Sequence, residues 1–317
     1  MIRIGVVNID VSHPLAFSKI LLEEDRARYV AVYNDGFRSD AEVDAFIRKR
    51  SLECRCETVE ELAEKVDVGF IQGCNWDRHL DYVEPFLKRG KPVFIDKPMV
   101  GSMRDVRRLE SLMKRGLKVL GSSSLRYAEE IRDFLNIPEP ERGRILNVMG
   151  TCGVDEFNYG IHVVESIGAM LQHPVSVRFD GGGEVDGKKA ESYTVVFEGG
   201  ATATYLTVTG VWLPCNFLIT TTQRVYNVNV DAGRVYKALL DRICDQLEHG
   251  SSALSPVSEI LDSIKIMLAG RLSRQRGGSV VRIDEIPEDD PGFDGDAFER
   301  GYAASAAPIY LDEPEAP

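Results

Sequence analysis

Two short stretches carry residues suited to proton and hydride chemistry. In "KRGKPVFIDKPMVGS", residues 88–102, an apolar strand ends in Asp96, Lys97 and Pro98, which sets a carboxylate and an ammonium at its carboxyl end and stops it at the proline. In "NYGIHVVESIGAM", residues 158–170, His162 follows Asn158 by four residues, so the two share one face of a helix. Glu165 lies one turn further on, where it can orient the ring. Oxidising an alcohol by hydride transfer needs a base for the hydroxyl proton, and an imidazole suits that task. An ammonium beside the same oxygen stabilises the alkoxide as it forms. A lone lysine after a strand is usually just solvated, and a lone helical histidine usually has no task, so the surroundings decide.

The surroundings are a βα alternation. Apolar runs at "IRIGVV", "YVAVYN", "VGFIQG", "PVFID" and "KVLGSS" are separated by amphipathic segments, which predicts a parallel sheet covered on both faces. Such a sheet gathers its functional loops at the strands' carboxyl ends. Thr58 and Glu61 in "TVEELAEKV" have the spacing of a capping box. After Ser124 the pattern changes, and from about 175 to 231 alternating strands broken by Gly-rich turns such as "GGGEVDG" predict an open, mostly antiparallel sheet with helices before and after it. The expected organisation is a Rossmann-type doubly wound domain over residues 1–122, an α+β domain over 123–287, and an acidic tail over 288–317. The tail is rich in Gly, Pro and Ala, which predicts a mobile or surface-draped segment.

The lysine stretch resembles the G-K-H-V-x-x-E-K-P signature of the Gfo/Idh/MocA family of sugar and cyclitol dehydrogenases, with Asp96 in place of Glu. Further segments resemble that family in the family's order. "GCNWDRHL" is similar to T-P-N-x-x-H, "SSLRYAEEIRDF" to an R-Y/F-x-P helix opening, "NYGIHVVE" to D-x-G-x-H-x-x-D, and "LAGRLSRQRGGSVVRIDEI" to the closing element. The resemblance spans roughly residues 1–286. It implies a catalytic group of Lys97, His162, Asn158 and Glu165, with Arg126, Tyr127 and Tyr159 toward the substrate, and an antiparallel sheet that serves as a platform for a homo-oligomer, a dimer or tetramer. Asn158 stands where many members carry Asp, and an amide cannot raise the basicity of the histidine. Asp155, Glu156 and Glu165 are the candidates to replace that charge.

The opening turn departs from the pattern. In "MIRIGVVNIDVSHPLAF" the three positions of the dinucleotide fingerprint G-x-G-x-x-G hold Asn8, Asp10 and His13. Only Asn8 readily tolerates the left-handed backbone that a glycine would supply. A carboxylate at Asp10 would repel a pyrophosphate, so it is expected to turn away and hold the turn as an Asx-turn does, with Ser12 and His13 at the phosphates. Asn34 and Asp35 follow the second strand near the place where an acid takes the ribose hydroxyls of NAD, although Asp35 before Gly36 fits turn chemistry equally well; if a nicotinamide binds, NAD is favoured and NADP stays possible. The full expected cofactor set is Gly5, Asn8, Asp10, Ser12, His13, Asn34, Asp35, Asn75, Trp76, His79, Asp96 and Pro98. The "NIDVSH" and "YGIHVVE" pair resembles a branch of the family that gives no substrate.

Composition narrows the alternatives. The net charge of −12 and the scattered basic residues argue against nucleic acid. No apolar run approaches the roughly 20 residues that cross a bilayer, and the chain enters a strand at once, so no membrane partner and a cytoplasmic location are expected. The six cysteines lack zinc-site spacing and are expected to be reduced, and no metal is assigned. The expected function is an NAD(P)-dependent oxidoreductase acting on a small polyhydroxylated molecule. Two other classes stay open: a redox-inactive ligand sensor on the same fold, favoured by the missing glycines, and a metal-assisted lyase or hydrolase using Asp10, His13 and His79.

Overall fold

The computed structural model describes residues 1–121, 123–250 and 253–311. Residue 122, the expected end of the first domain, and residues 312–317 of the tail lie outside that description. Strands β1 (Ile2–Val7), β2 (Ala27–Tyr33), β3 (Cys54–Arg55), β4 (Val68–Ile71), β5 (Val93–Ile95) and β6 (Val119–Gly121) form one parallel sheet in the order β3-β2-β1-β4-β5-β6. Register pairs Val7 with both Tyr33 and Ile71, so the loops after β1, β2 and β4 meet at one edge. The strand order reverses between β1 and β4, and a crevice opens at such a switch point, outside the carboxyl ends.

Helices α1 (His13–Glu23), α2 (Asp40–Lys49), α3 (Val59–Lys65), α4 (Glu84–Lys88) and α5 (Met103–Lys114) connect these strands. Their starts are set by local side chains. Ser39 and Glu42 close a reciprocal capping box on α2, and Ser102 accepts from Asp105 N–H on α5. The box expected at α3 is half formed. Thr58 accepts from Glu61 N–H, but the Glu61 carboxylate reaches past the cap to Glu57 N–H.

The second sheet holds β7 (Ile145–Val154), β8 (Pro174–Val185), β9 (Lys188–Phe197), β10 (Thr202–Thr209), β11 (Asn216–Thr221), β12 (Val225–Asn229) and β13 (Val281–Arg282), in the order β12-β11-β7-β10-β9-β8-β13. All its pairings are antiparallel except β7 with β10. The Gly-rich run expected as a turn is largely strand: β8 continues to Val185, and the reversal falls at Asp186 and Gly187, both with positive φ. Helices α6 (Glu129–Asn136), α7 (Glu139–Arg142), α8 (Gly160–Met170), α9 (Val235–His249) and α10 (Val257–Gln275) complete this half, with α8 buried along nearly its whole length. The other face of the sheet carries Leu218, Met149 and Thr204 in one register row, the first two well exposed.

The described part of the C-terminal segment, up to residue 311, lies against the first sheet, the draped and not the mobile of the two expected arrangements. Helix α11 (Gly295–Ser305) starts at Asp294, whose carboxylate accepts from Ala297 N–H at 2.7 Å. Beyond it Tyr310 is 1% exposed and packs edge-on against Phe46 of α2. The apolar part of a Tyr side chain buried in this way is worth roughly 2 kcal/mol, enough to pin a short segment.

Candidate active site at the sheet edge

Lys97 leaves the end of β5 and reaches the start of α8. Its Nζ donates to Asn158 Oδ1 at 2.9 Å and to Asn158 O at 3.3 Å, and stands 5.2 Å from the centre of the Tyr159 ring. Burial pushes the ammonium below the ordinary lysine value, and the charges of Asp96, Asp155 and Glu165 oppose that shift. The ring of His162 meets the same Tyr159 edge-on at 5.7 Å, so tyrosine, lysine and histidine form one group. Burial first, then the nearby Lys97 and His13, hold the imidazole well below its usual value, and it is neutral at pH 7. Its Nδ1 lies 2.5 Å from Ser123 Oγ, and Ser123 N–H donates to Glu165 Oε2 at 2.9 Å. Glu165 thus holds the ring through the serine at the end of β6. Tyr159 and His162 line a cavity of about 120 Å³ together with Cys152, Trp212 and Tyr236.

The three carboxylates considered as stand-ins for the missing Asp go different ways. Asp155 accepts from Tyr159 N–H and from the Asn158 amide, and burial pushes its carboxyl up. Glu165 acts through Ser123. Glu156 leaves the site for Arg274 and Tyr193.

At the opening turn Asn8 is left-handed, with φ of 63°. Its Oδ1 accepts from Asp35 and Gly36 N–H, which ties the turn to the loop after β2. Asp10 does point inward, but no Asx-turn forms. Its Oδ2 accepts from Cys74 N–H on the loop after β4, because the sheet edge brings that donor within 3.1 Å and leaves the carboxylate buried. Oδ1 has no hydrogen-bond partner among the described residues and faces Gly36, where a Cβ would fall 2.0 Å away. Burial raises this carboxyl to about 6. His13 is not at the mouth of the turn either. Its Nδ1 donates to Asp96 Oδ2 at 2.6 Å, and its ring lies between Phe17 and Tyr236. Burial works against the Asp96 carboxylate, but His13 and Lys97 outweigh it and hold the group down at about 2. Of the two residues expected at phosphates, only Ser12 stays exposed at the start of α1, and its side chain makes no capping bond.

The remaining cofactor-side residues have partners within the chain. Asn34 accepts from Ile9 N–H, and Asp35 is engaged by Arg78 at 2.6 Å and by the Tyr82 hydroxyl at 2.8 Å. Asn75 donates to Asp296 and Glu299 of α11 at 2.7 and 2.9 Å. Trp76 Nε1 donates to Phe293 O at 2.8 Å. The ring nitrogens of buried His79 face the carbonyl oxygens of Met99 and Gly73, which is a loop clamp, and Pro98 is buried behind Lys97.

Three residues stand apart from the group. Gly5 lies mid-strand under α3, where a Cβ would come within 3.0 Å of Leu62 and Val66, so its role is strand–helix packing. Arg126 is buried on the far side of α8, bonded to Ser255, Glu259 and the carbonyls of Glu165 and Gly168. The Tyr127 hydroxyl accepts from Ser255 N–H. Neither reaches the cavity. Ser123 and Tyr236 were not singled out from the sequence. Ser123 had a positional signal at a strand's carboxyl end, whereas Tyr236 comes from α9 and had none. Asp10, Cys74 and Glu299 are the one group of potential metal ligands among the described residues, so His13 and His79 are not partners in a metal site with Asp10. All six cysteines are free thiols. No helix is long and apolar enough to cross a membrane.

A parallel sheet with this strand order and an appended open sheet defines a Rossmann-type two-sheet fold. Residues 3–123, less than half of the chain, match the Gfo/Idh/MocA family model described as "Oxidoreductase family, NAD-binding Rossmann fold". No curated protein matches the sequence. Among solved structures, scyllo-inositol dehydrogenase from Lactobacillus casei with bound NAD(H) and scyllo-inositol is similar at a TM-score of 0.76 and 14% identity, over 90% of this chain and 99% of that one. Myo-inositol dehydrogenase from the same organism, in complex with NAD(H) and myo-inositol, gives 0.75 and 14% over 89% and 96%. An oxidoreductase from Agrobacterium radiobacter in complex with NAD+, L-tartaric acid and magnesium gives 0.76 and 13% over 90% and 99%. At these identities the likeness establishes the fold.

Proposed function

We propose that the protein is an NAD(H)-dependent oxidoreductase that moves a hydride to or from the hydroxyl-bearing or keto carbon of a small polyhydroxylated molecule. The observation that carries this reading is the Lys97, Tyr159 and His162 group beside a cavity at the carboxyl edge of the sheet. The family match and the inositol-bound relatives supply the substrate class. The nicotinamide, when bound, accepts or supplies the hydride.

The chain's own residues do the rest. Lys97 donates to the substrate oxygen and stabilises its developing charge, and neutral His162 takes the proton. Ser123, held by Glu165, sets the direction of the ring. Asp35 at the end of β2 supplies the acid for a ribose, which favours NAD, and the start of α1 offers backbone N–H groups to an anion. Self-association through the outer face of the second sheet, with Met149 and Leu218 exposed on it, is part of the same proposal.

The test is turnover with NAD+ and a panel of inositols and sugar alcohols, followed by NADH absorbance. Lys97→Met and His162→Asn should each lower kcat/KM by about 10²–10⁴ without loss of fold. Wild-type rates in both variants would remove the assignment.

A further inference from the structure

The adenosine and pyrophosphate of a dinucleotide take the switch-point crevice between β1 and β4. In this chain that crevice already holds a peptide. Phe293 is fixed at one end by Trp76 Nε1 to its carbonyl at 2.8 Å, by its own N–H to Gly101 O at 3.0 Å and by stacking on Phe157 at 4.0 Å. At the other end the Tyr310 hydroxyl donates to Ile9 O and Val11 O at 2.8 and 2.9 Å, inside the opening turn, and Arg38 donates to Ala307 O at 2.6 Å. Between these anchors α11 lies across the loops after β1, β2 and β4. Its Asp296 and Glu299 take the Asn75 amide, and Tyr302 meets Phe37.

We propose that residues 290–311 are a built-in gate that excludes the dinucleotide until it lifts, so that the tail sets the affinity for cofactor. The inference rests on the dinucleotide reading above. Three features suit a gate better than a fixed wall. Within α11 only Gly295 is buried, and the packed area that holds the segment closed is concentrated at its two ends, in Asp290 and Tyr310. Two tail carboxylates occupy a donor that an anionic ligand would otherwise use. Glu299 is also held close to the buried Asp10, a like-charge approach that offsets part of what its bond to Asn75 contributes and keeps the closed state marginal. If the open form is a minor species, the observed dissociation constant rises in proportion to its scarcity.

The experiment compares the full chain, a chain ending at Pro287, and the full-length double variant Asp296→Ala, Glu299→Ala, each titrated with NADH and NADPH by calorimetry. Hydrogen exchange of residues 295–305 and Trp fluorescence are followed alongside. The gate predicts that truncation tightens NADH binding by about tenfold or more and that the double variant falls between. It also predicts that saturating NADH deprotects α11 and shifts Trp76 emission. Equal affinity in the full chain and the double variant, with α11 protection unchanged by NADH, overturns the gate and leaves the oxidoreductase reading intact; this comparison decides if truncation prevents folding. Absence of binding of either nucleotide to both altered proteins, each shown folded by a cooperative melt, overturns the cofactor reading and the gate with it.

Discussion

His13 Nδ1 lies 2.6 Å from Asp96 Oδ2, so the residue at the third fingerprint position of the opening turn is tied to the residue that precedes Lys97. Asp96 also accepts from Lys97 N–H at 2.8 Å. The pair therefore fixes the start of α1 to the end of β5, and the loop that carries the lysine cannot shift without α1.

Removing His13 leaves a buried carboxylate short of its main partner. His13→Ala should destabilise the fold by about 3 kcal/mol at pH 7. Asp96 has a folded value of about 2 against an ordinary 3.8, so its contribution is present above pH 4 and disappears as pH falls through 2. That acid-sensitive part, about 2 kcal/mol, should shrink in the variant. Denaturant unfolding from pH 2 to pH 7 measures both, and identical profiles for wild type and variant would refute the linkage.

Asp10 predicts the opposite pH dependence. Its carboxyl is raised to about 6 from 3.8, so the folded state holds a proton that the unfolded chain has lost in that range. Stability from this group is full below pH 4 and is lost as pH rises through 6. Asp10→Asn keeps an acceptor for Cys74 N–H and removes the charge. It should stabilise the protein at pH 8 by up to about 3 kcal/mol and leave it nearly unchanged at pH 4. Melts at the two pH values decide, and destabilisation at pH 8 would mean that the charge is compensated.

Some of this arrangement was legible in the sequence. The run Ile2–Val7 and the Asp-Lys-Pro strand end identified the parallel sheet, because apolar periodicity and strand ends are local signals, whereas Asn158 does not share a helical face with His162, since α8 starts only at Gly160. The left-handed Asn8 was legible for the same reason. Strand β7, at the middle of the second sheet, was not, since "ILNVMGTCGV" breaks its alternation with glycines that face Phe217 and the Val211–Leu213 segment. That the tail is draped and not mobile was not legible, because α11 owes its order to Asn75 and Trp76, more than 200 residues away in sequence, and to Tyr310 pinned on Ile9 and Val11, and not to its own composition. His13 found Asp96 across 83 residues, a pairing that no local pattern encodes.

The pH dependence of turnover follows from the two shifted groups at the cavity. His162 is already neutral at pH 7, so kcat/KM for oxidation should show no histidine step near its ordinary 6.5. Loss of the Lys97 proton should lower the rate at alkaline pH, with an apparent pKa below the ordinary lysine value of 10.5. Ser123→Ala removes the bond to Nδ1 and should reduce kcat by about tenfold with little change in KM. A rate profile from pH 5 to pH 10 on the wild type and Ser123→Ala tests this; a histidine step near 6.5 in the wild type would contradict the buried neutral ring.

Arg126 separates a structural from a substrate role. Its guanidinium, with a side chain only 1% exposed, reaches Ser255 Oγ, Glu259 Oε2, Glu165 O and Gly168 O, which joins the loop after β6 to α8 and α10. A lysine has one point charge and cannot satisfy so spread a set of acceptors. Arg126→Lys should therefore cost about 2 kcal/mol of stability, from buried acceptors left without donors. Because Glu165 also holds Ser123, and through it His162, a secondary fall in kcat of severalfold is expected. KM for the polyol should stay within about twofold, since Arg126 does not line the cavity beside His162. Thermal melts and steady-state kinetics on the one variant give all three quantities. A large rise in KM with an unchanged melting temperature would place Arg126 at the substrate after all.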